Sequence, residues 1–215
     1  ILFAIPFYFL SNTFIGYFDA RIPLLLLFAI MLALAAFLVK DKEKRLLFLI
    51  LLAFNPAMLG YTLEGRSDIF MFAFMFGSLF LLSRNNLFLA GIPMGLAFAV
   101  KQSAWPIFPF YIAYLFLKTK KIKESIKNLL PFALTLLAII FPFLLWDYQS
   151  FLNSTIFYLS GSIPNSYPIS GYGFGKLLNQ MGIIKDVHQY FPFHIVQLIA
   201  GIPLFIILIR YLKKN

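Results

Sequence analysis

The 215-residue chain is 61% hydrophobic and 12% charged, about half the charged share of an ordinary soluble domain, with a mean hydropathy of +0.87. Its apolar residues form continuous runs without strand-like alternation, which excludes a soluble globular domain and a membrane barrel and leaves a helical membrane protein. Cysteine is absent, excluding disulfides and thiolate metal sites, and the net charge of +10 is accounted for below without nucleic acid.

Taken in order, the apolar runs predict spans over Ile1–Gly16, Ile22–Val39, Leu46–Gly60, Ile69–Leu82, Leu87–Val100, Ser103–Leu117, Leu129–Trp146 and Pro192–Ile209. The expected fold is all-α, polytopic, a single transmembrane domain over 1–215 with about eight helices. Several spans fall short of the ~20 residues that cross a full bilayer, so extension into loops or local thinning is expected. Prolines recur within or beside them, among them Pro56, Pro93, Pro106 and Pro131, which favours kinked helices packed on one another. The chain opens on Ile1, inside an apolar run and without a basic segment before it, and reads as a fragment of a longer protein.

Eight spans sort the loops into two sets. One holds Lys40–Arg45, Arg84, Lys118–Lys127, Arg210, Lys213 and Lys214, with thirteen basic and three acidic side chains and a net charge of +10. The other holds Asp19, Arg21, Glu64, Arg66, Asp68, Lys101, Asp147, Lys176, Lys185 and Asp186, five of each sign and no net charge. The positive-inside rule makes the first set cytoplasmic and the second exterior. The basic excess is therefore a topology signal and an attraction to anionic lipid among the membrane lipids; no nucleic-acid partner is expected. The expected location is a multi-pass protein of a prokaryotic plasma membrane, with its active face exterior.

The one sizeable loop, 147–191, is exterior on this reading. Asp147 to Leu159 and Lys176 to Tyr190 carry weak helical periodicity on either side of a turn-rich, aromatic stretch from Gly161 to Gly175. Two interfacial helices joined by an adaptable loop are expected.

Two polar islands interrupt the apolar pattern. The first is Tyr61-Thr62-Leu63-Glu64-Gly65-Arg66-Ser67-Asp68, with three charges in five residues between uncharged runs. Ionisable groups held against a bilayer are costly and mark functional sites by default. The competing reading makes Ser67 a helix cap, Asp68 a complement to the helix dipole and Arg66 the local partner of a carboxylate. The functional reading gives Glu64 and Asp68 to sugar hydroxyls or a divalent cation, and Arg66 to a phosphate. The second island is Lys101-Gln102, followed by Trp105. Lys101 either snorkels to the head groups or supplies a cation to a lipid-linked phosphate. Before it, Gly91, Gly95 and Ala99 recur every four residues as a small ridge that admits another helix. Both islands are expected on one side of the membrane. His188 and His194 lack ligand spacing, and Asn153-Ser154-Thr155 matches a glycosylation sequon, a weak pattern. No cofactor motif is present; a divalent cation is the one candidate.

Asn55-Pro56, then Gly65-Arg66-Ser67-Asp68 opening a span, then Ala90-Gly91-(x3)-Gly95-Leu96-Ala97-(x3)-Lys101-Gln102 and an aromatic-proline span ending in lysines follow in order. Over about residues 40 to 130 this resembles the membrane core of the glycosyltransferase-C superfamily, in particular its polyprenyl-phosphate-sugar-dependent, mannosyltransferase-like members. The resemblance implies a multispanning enzyme that moves a hexose, mannose first among them, from a polyprenyl-phosphate donor to a glycan, lipid or protein acceptor with inversion. It implies that Arg66, Lys101 and Gln102 hold the donor phosphate, that Asp68 and Glu64 are the catalytic carboxylates, and that the aromatic exterior loop closes over the sugar. The superfamily's principal carboxylate lies in its first exterior loop, which the resemblance places upstream of Ile1. Asp19 lies in the first exterior loop of this chain without a family motif around it. Two other classes remain open. A transporter or flippase would place ionisable groups at mid-membrane in repeated halves, and a non-catalytic scaffold would use Gly91 and Gly95 for packing alone.

Overall fold

A computed structural model describes residues 5–19, 21–66, 68–164, 166–169 and 173–214. Among these every regular element is helical. The chain divides into two compact units, Ile1–Leu137 and Ala138–Asn215, each described by itself.

The first unit begins with α1 (Ile5–Ile15), α2 (Arg21–Leu38), α3 (Lys42–Ala53) and α4 (Pro56–Leu63). The span expected over Leu46–Gly60 is thus two helices. α3 starts at the Asp41 cap, whose carboxylate accepts the Lys44 N–H at 2.9 Å. It ends at Phe54, and the Asn55 side chain accepts the Met58 N–H at 3.3 Å to start α4, with Pro56 at the first helical position. Proline cannot continue a helix but suits its first residue, so Asn55-Pro56 is a break and a restart.

The core is a helical hairpin, α5 (Asp68–Ser83) and α6 (Leu87–Val100), turned by Arg84, Asn85 and Asn86. Asn85 takes φ +61°, which asparagine tolerates better than most residues, and the Asn86 side chain accepts the Leu89 N–H to cap α6. Along the hairpin, Ser78 donates to the Ala90 carbonyl at 2.9 Å, Gly77 admits the ring of Pro93, and Ser103 donates to the Met71 sulfur at 3.4 Å. α2 packs on α5, and Leu24, Met31 and Ala35 are among its buried residues.

The span expected over Ser103–Leu117 is shorter as an α-helix. A 3₁₀ segment, Gln102–Ile107, precedes α7 (Phe108–Thr119). Pro106 and Pro109 cannot donate to a regular ladder, and Trp105 fixes the segment by donating its indole N–H to the Phe98 carbonyl at 3.2 Å. α8 (Ile122–Leu152) follows, its helix reaching back to Ile122 beyond the expected start at Leu129. Phe132 of α8 meets Phe98, Phe108 and Tyr111 at ring distances of 5.0, 5.4 and 5.9 Å.

The glycine ridge is a real interface. A Cβ at Gly91 would lie 2.7 Å from the Phe132 backbone nitrogen; one at Gly95 would lie 2.8 Å from the Phe132 carbonyl oxygen and 2.9 Å from Thr135 Cβ. These contacts advance together along both helices, so α6 and α8 run in the same direction. The α5–α6 turn therefore shares an end of the unit with the lysine-rich α7–α8 turn, and Asp68 and Lys101 lie at the other end.

In the second unit α8 meets non-helical backbone at Asp147, directly after the expected end of the span at Trp146. Asp147 restarts the helix by accepting from the Ser150 N–H at 2.9 Å and hydroxyl at 2.6 Å, and the chain stays helical through Ser160, partly as a π turn over Asn153–Phe157. The second interfacial helix is shorter than expected. α9 (Phe174–Gln180) stops before Gly182, whose φ is +73°, and the Asn179 side chain donates to the Ile184 carbonyl at 2.9 Å. Residues beyond it fold back: Ile169 N–H donates to Val187 O at 2.7 Å, and Ser166 hydroxyl to His188 O at 3.0 Å. Of the turn-rich loop, residues 165 and 170–172 lie outside the described residues. α10 (Phe193–Lys214) is apolar with no buried residue.

Among the described residues three helical stretches, Arg21–Leu38, Ile122–Ser160 and Phe193–Lys214, are long and apolar enough to cross a membrane. Ile5–Ile15, Asp68–Ser83 and Leu87–Val100 are apolar but shorter.

Candidate functional site

The two polar islands meet at one point. Asp68 opens α5 and Lys101 is the residue on which α6 ends, in extended backbone at φ −155°. Because α5 and α6 are similar in length and antiparallel, residues 33 apart in sequence are brought side by side. Lys101 Nζ donates to Asp68 Oδ2 at 2.6 Å. The Asp68 side chain is 12% exposed and that of Lys101 35%, so the carboxylate is sheltered and the ammonium is open on one side. Ser67, read above as a helix cap, lies outside the described residues.

Glu64 and Arg66 pair with each other on the exposed turn before α5, and the Arg66 guanidinium lies 5.2 Å from the centre of the Tyr61 ring. Gly65 permits that turn, with φ +73°. The local ion pair weighed for Arg66 is therefore present with Glu64, while Asp68 takes the distant Lys101. Gln102 begins the 3₁₀ segment beside Lys101 and is half-buried.

Three features of this corner were not read from the sequence: the Ser103 hydroxyl on Met71, the Trp105 lock on Phe98, and the stacking of Arg66 on Tyr61. Only the last could have been suspected, from an aromatic five residues before an arginine.

Asp19 has a different character. It accepts from the Arg21 side chain at 2.5 to 2.9 Å and from the Arg21 N–H at 2.8 Å. These bonds pull its carboxyl down from the usual range to about 2. A general base works best with a pKa near the operating pH, so this carboxylate is poorly tuned for proton abstraction. His188 is engaged in the fold: a carbonyl only accepts, so its Nδ1–H donates to Ser166 O, at 2.8 Å. Among the described residues no group of three or more histidine or acidic side chains gathers as a metal site.

A sheltered carboxylate clamped to a half-open ammonium, at the end of an apolar hairpin, offers a cation to an anion and, once the cation turns away, a carboxylate to a hydroxyl or metal. The model of glycosyltransferase family 87 matches the chain over residues 1–215. The chain belongs to glycosyltransferase family 87. This is a glycosyltransferase-C-type family of membrane enzymes, and membership makes this family 87 chain a membrane glycosyltransferase acting on a sugar donor and an acceptor. No curated protein and no solved structure matches it.

Proposed function

We propose that this family 87 chain transfers a hexose, mannose first, from a polyprenyl-phosphate donor to an acceptor hydroxyl at the exterior face of a prokaryotic plasma membrane, with inversion. The Asp68–Lys101 pair carries this reading. α5 and α6 have 16 and 14 residues, about 24 and 21 Å at 1.5 Å per residue, against a hydrocarbon core of ~30 Å. With the α5–α6 turn at the basic, cytoplasmic surface, the pair is recessed several ångströms below the opposite head groups. A cation at that depth suits a phosphate already carried by a lipid better than a soluble sugar nucleotide.

In this reaction the acceptor oxygen forms a bond to the anomeric carbon while the bond to the lipid phosphate oxygen breaks, and the phosphate departs with the electron pair. Lys101, with Arg66 and Gln102, stabilises the charge growing on the phosphate. Asp68 holds Lys101 in place before the donor arrives. Asp68 or Glu64 takes the proton that the acceptor hydroxyl loses as its oxygen bonds to the anomeric carbon, and the other carboxylate holds the acceptor by a hydrogen bond.

The test uses the full-length protein in liposomes, with labelled polyprenyl-phosphate mannose and, in parallel, a labelled sugar nucleotide. Lys101→Ala and Arg66→Ala should each lower transfer from the lipid donor by about two orders of magnitude or more, the several kcal/mol expected of a transition-state cation. Direct transfer from the sugar nucleotide alone would refute the donor class. Full activity of both variants would leave the Asp68–Lys101 pair as a packing latch.

A further inference from the structure

At the end of the first unit away from Asp68, the α7–α8 turn carries five lysines, Lys118, Lys120, Lys121, Lys123 and Lys127, all exposed. Glu124 is the only acidic residue among them. Among the described residues none of the five is in an ion pair. The turn that presents them is tightly built. Lys120 ends α7 in left-handed backbone at φ +57°, its N–H donating to Phe116 O at 3.0 Å. The hydroxyls of Thr119 and Ser125 share a hydrogen bond of 2.6 Å, and the fully buried Ser125 donates both its N–H and its hydroxyl to Lys121 O at 3.0 Å.

The same stretch of α8 exposes Ile122, Ile126, Leu130 and Leu134, at 68, 58, 49 and 56%. Four-residue spacing stacks them in one stripe along the helix. Lys123 and Lys127 each follow a stripe residue by one position, about 100° round the helix, so they flank its first two turns. An apolar stripe that begins inside a collar of unpaired lysines matches a phospholipid: acyl chain along the stripe, head group among the ammonium groups.

We infer that the α7–α8 turn is a binding surface for anionic phospholipid head groups. A soluble phosphate shares the charge but would leave the adjoining stripe unused. The charge complementarity is local, because the lysines sit on a turn whose geometry is fixed by its own hydrogen bonds.

Native mass spectrometry of the detergent-extracted full chain tests this, with phosphatidylglycerol and phosphatidylcholine titrated side by side. The parent should retain phosphatidylglycerol at least about tenfold more tightly than phosphatidylcholine, since each lysine near an anionic surface contributes about fivefold. Replacing all five lysines by glutamine should abolish that preference, whereas replacing them by arginine should keep it. Lys123→Gln with Lys127→Gln, a milder pair with the turn left intact, should weaken it partially at an unchanged melting temperature. Lys176→Gln with Lys185→Gln should leave it untouched. Equal retention of the two lipids by the parent, or an undiminished preference in the five-glutamine variant, overturns the inference. So does displacement of phosphatidylglycerol by an equal concentration of inorganic phosphate.

Discussion

The contact between α6 and α8 allows a sharp test in which four glycine-to-alanine changes should behave in two opposite ways. Alanine in place of glycine within a helix ordinarily stabilises by up to about 1 kcal/mol, through lower backbone entropy in the unfolded chain. At Gly77 the new methyl would meet Pro93 Cβ at 3.6 Å, an ordinary contact, and at Gly201 it would meet nothing within 4 Å. Gly77→Ala and Gly201→Ala should thus be neutral or stabilising. At Gly91 the methyl would stand 2.7 Å from the Phe132 nitrogen, and at Gly95 2.8 Å from the Phe132 oxygen. Both obstacles are backbone and cannot rotate away, so the helices must part by roughly 0.7 Å to reach a normal contact. Overpacking of this kind costs about 1 to 3 kcal/mol; against the propensity gain, a net loss of up to ~2 kcal/mol remains. Leucine at either position should be worse still. Reversible unfolding in mixed micelles, read by circular dichroism, separates the two groups. If Gly91→Ala and Gly95→Ala were as stable as Gly77→Ala, the close approach of α6 and α8 would be refuted, and with it the shared end of the two basic turns.

Ser78→Ala removes a buried bond to the Ala90 carbonyl, and should cost about 0.6 to 1.7 kcal/mol in the same assay, with little effect on sugar transfer. Asp68→Asn keeps an oxygen for Lys101 and should fold as the parent does, while transfer from the lipid donor falls; parental turnover would make Asp68 structural only. Asp68→Ala leaves a half-exposed ammonium without its carboxylate and should lower stability by about 1 to 2 kcal/mol, between the values for exposed and fully buried pairs. Because the chain lacks cysteine, single probes are unambiguous. Cysteine at Tyr61 should label from outside intact cells and cysteine at Lys121 only after permeabilisation, and external labelling of the latter would overturn the assigned orientation.

Helical class, the positions of α2, α5, α6 and the last helix, and the break in α8 directly after Trp146 were legible along the chain, because long apolar runs bounded by charges or by Asn-Asn and Asp have one outcome in lipid. The glycine spacing likewise announced a close helix neighbour. It could not name the neighbour: that Phe132 and Thr135 of α8 fill the groove depends on how α7 returns the chain, and so on packing. The same holds for the corner at Asp68. Composition alone marked Glu64, Arg66, Asp68, Lys101 and Gln102 as expensive groups beside apolar segments, but charge has no address in a linear sequence. Arg66 could satisfy either carboxylate by local reach, and it takes Glu64. Asp68 is then joined to Lys101 only because two antiparallel helices of nearly equal length place their far ends together. Breaks were the least legible feature. Asn55-Pro56 within an apolar run, and the tightening of Gln102–Ile107, follow from whether a missing proline N–H is absorbed by a kink or by a new helix start. Neighbouring helices decide that, residue by residue, in three dimensions.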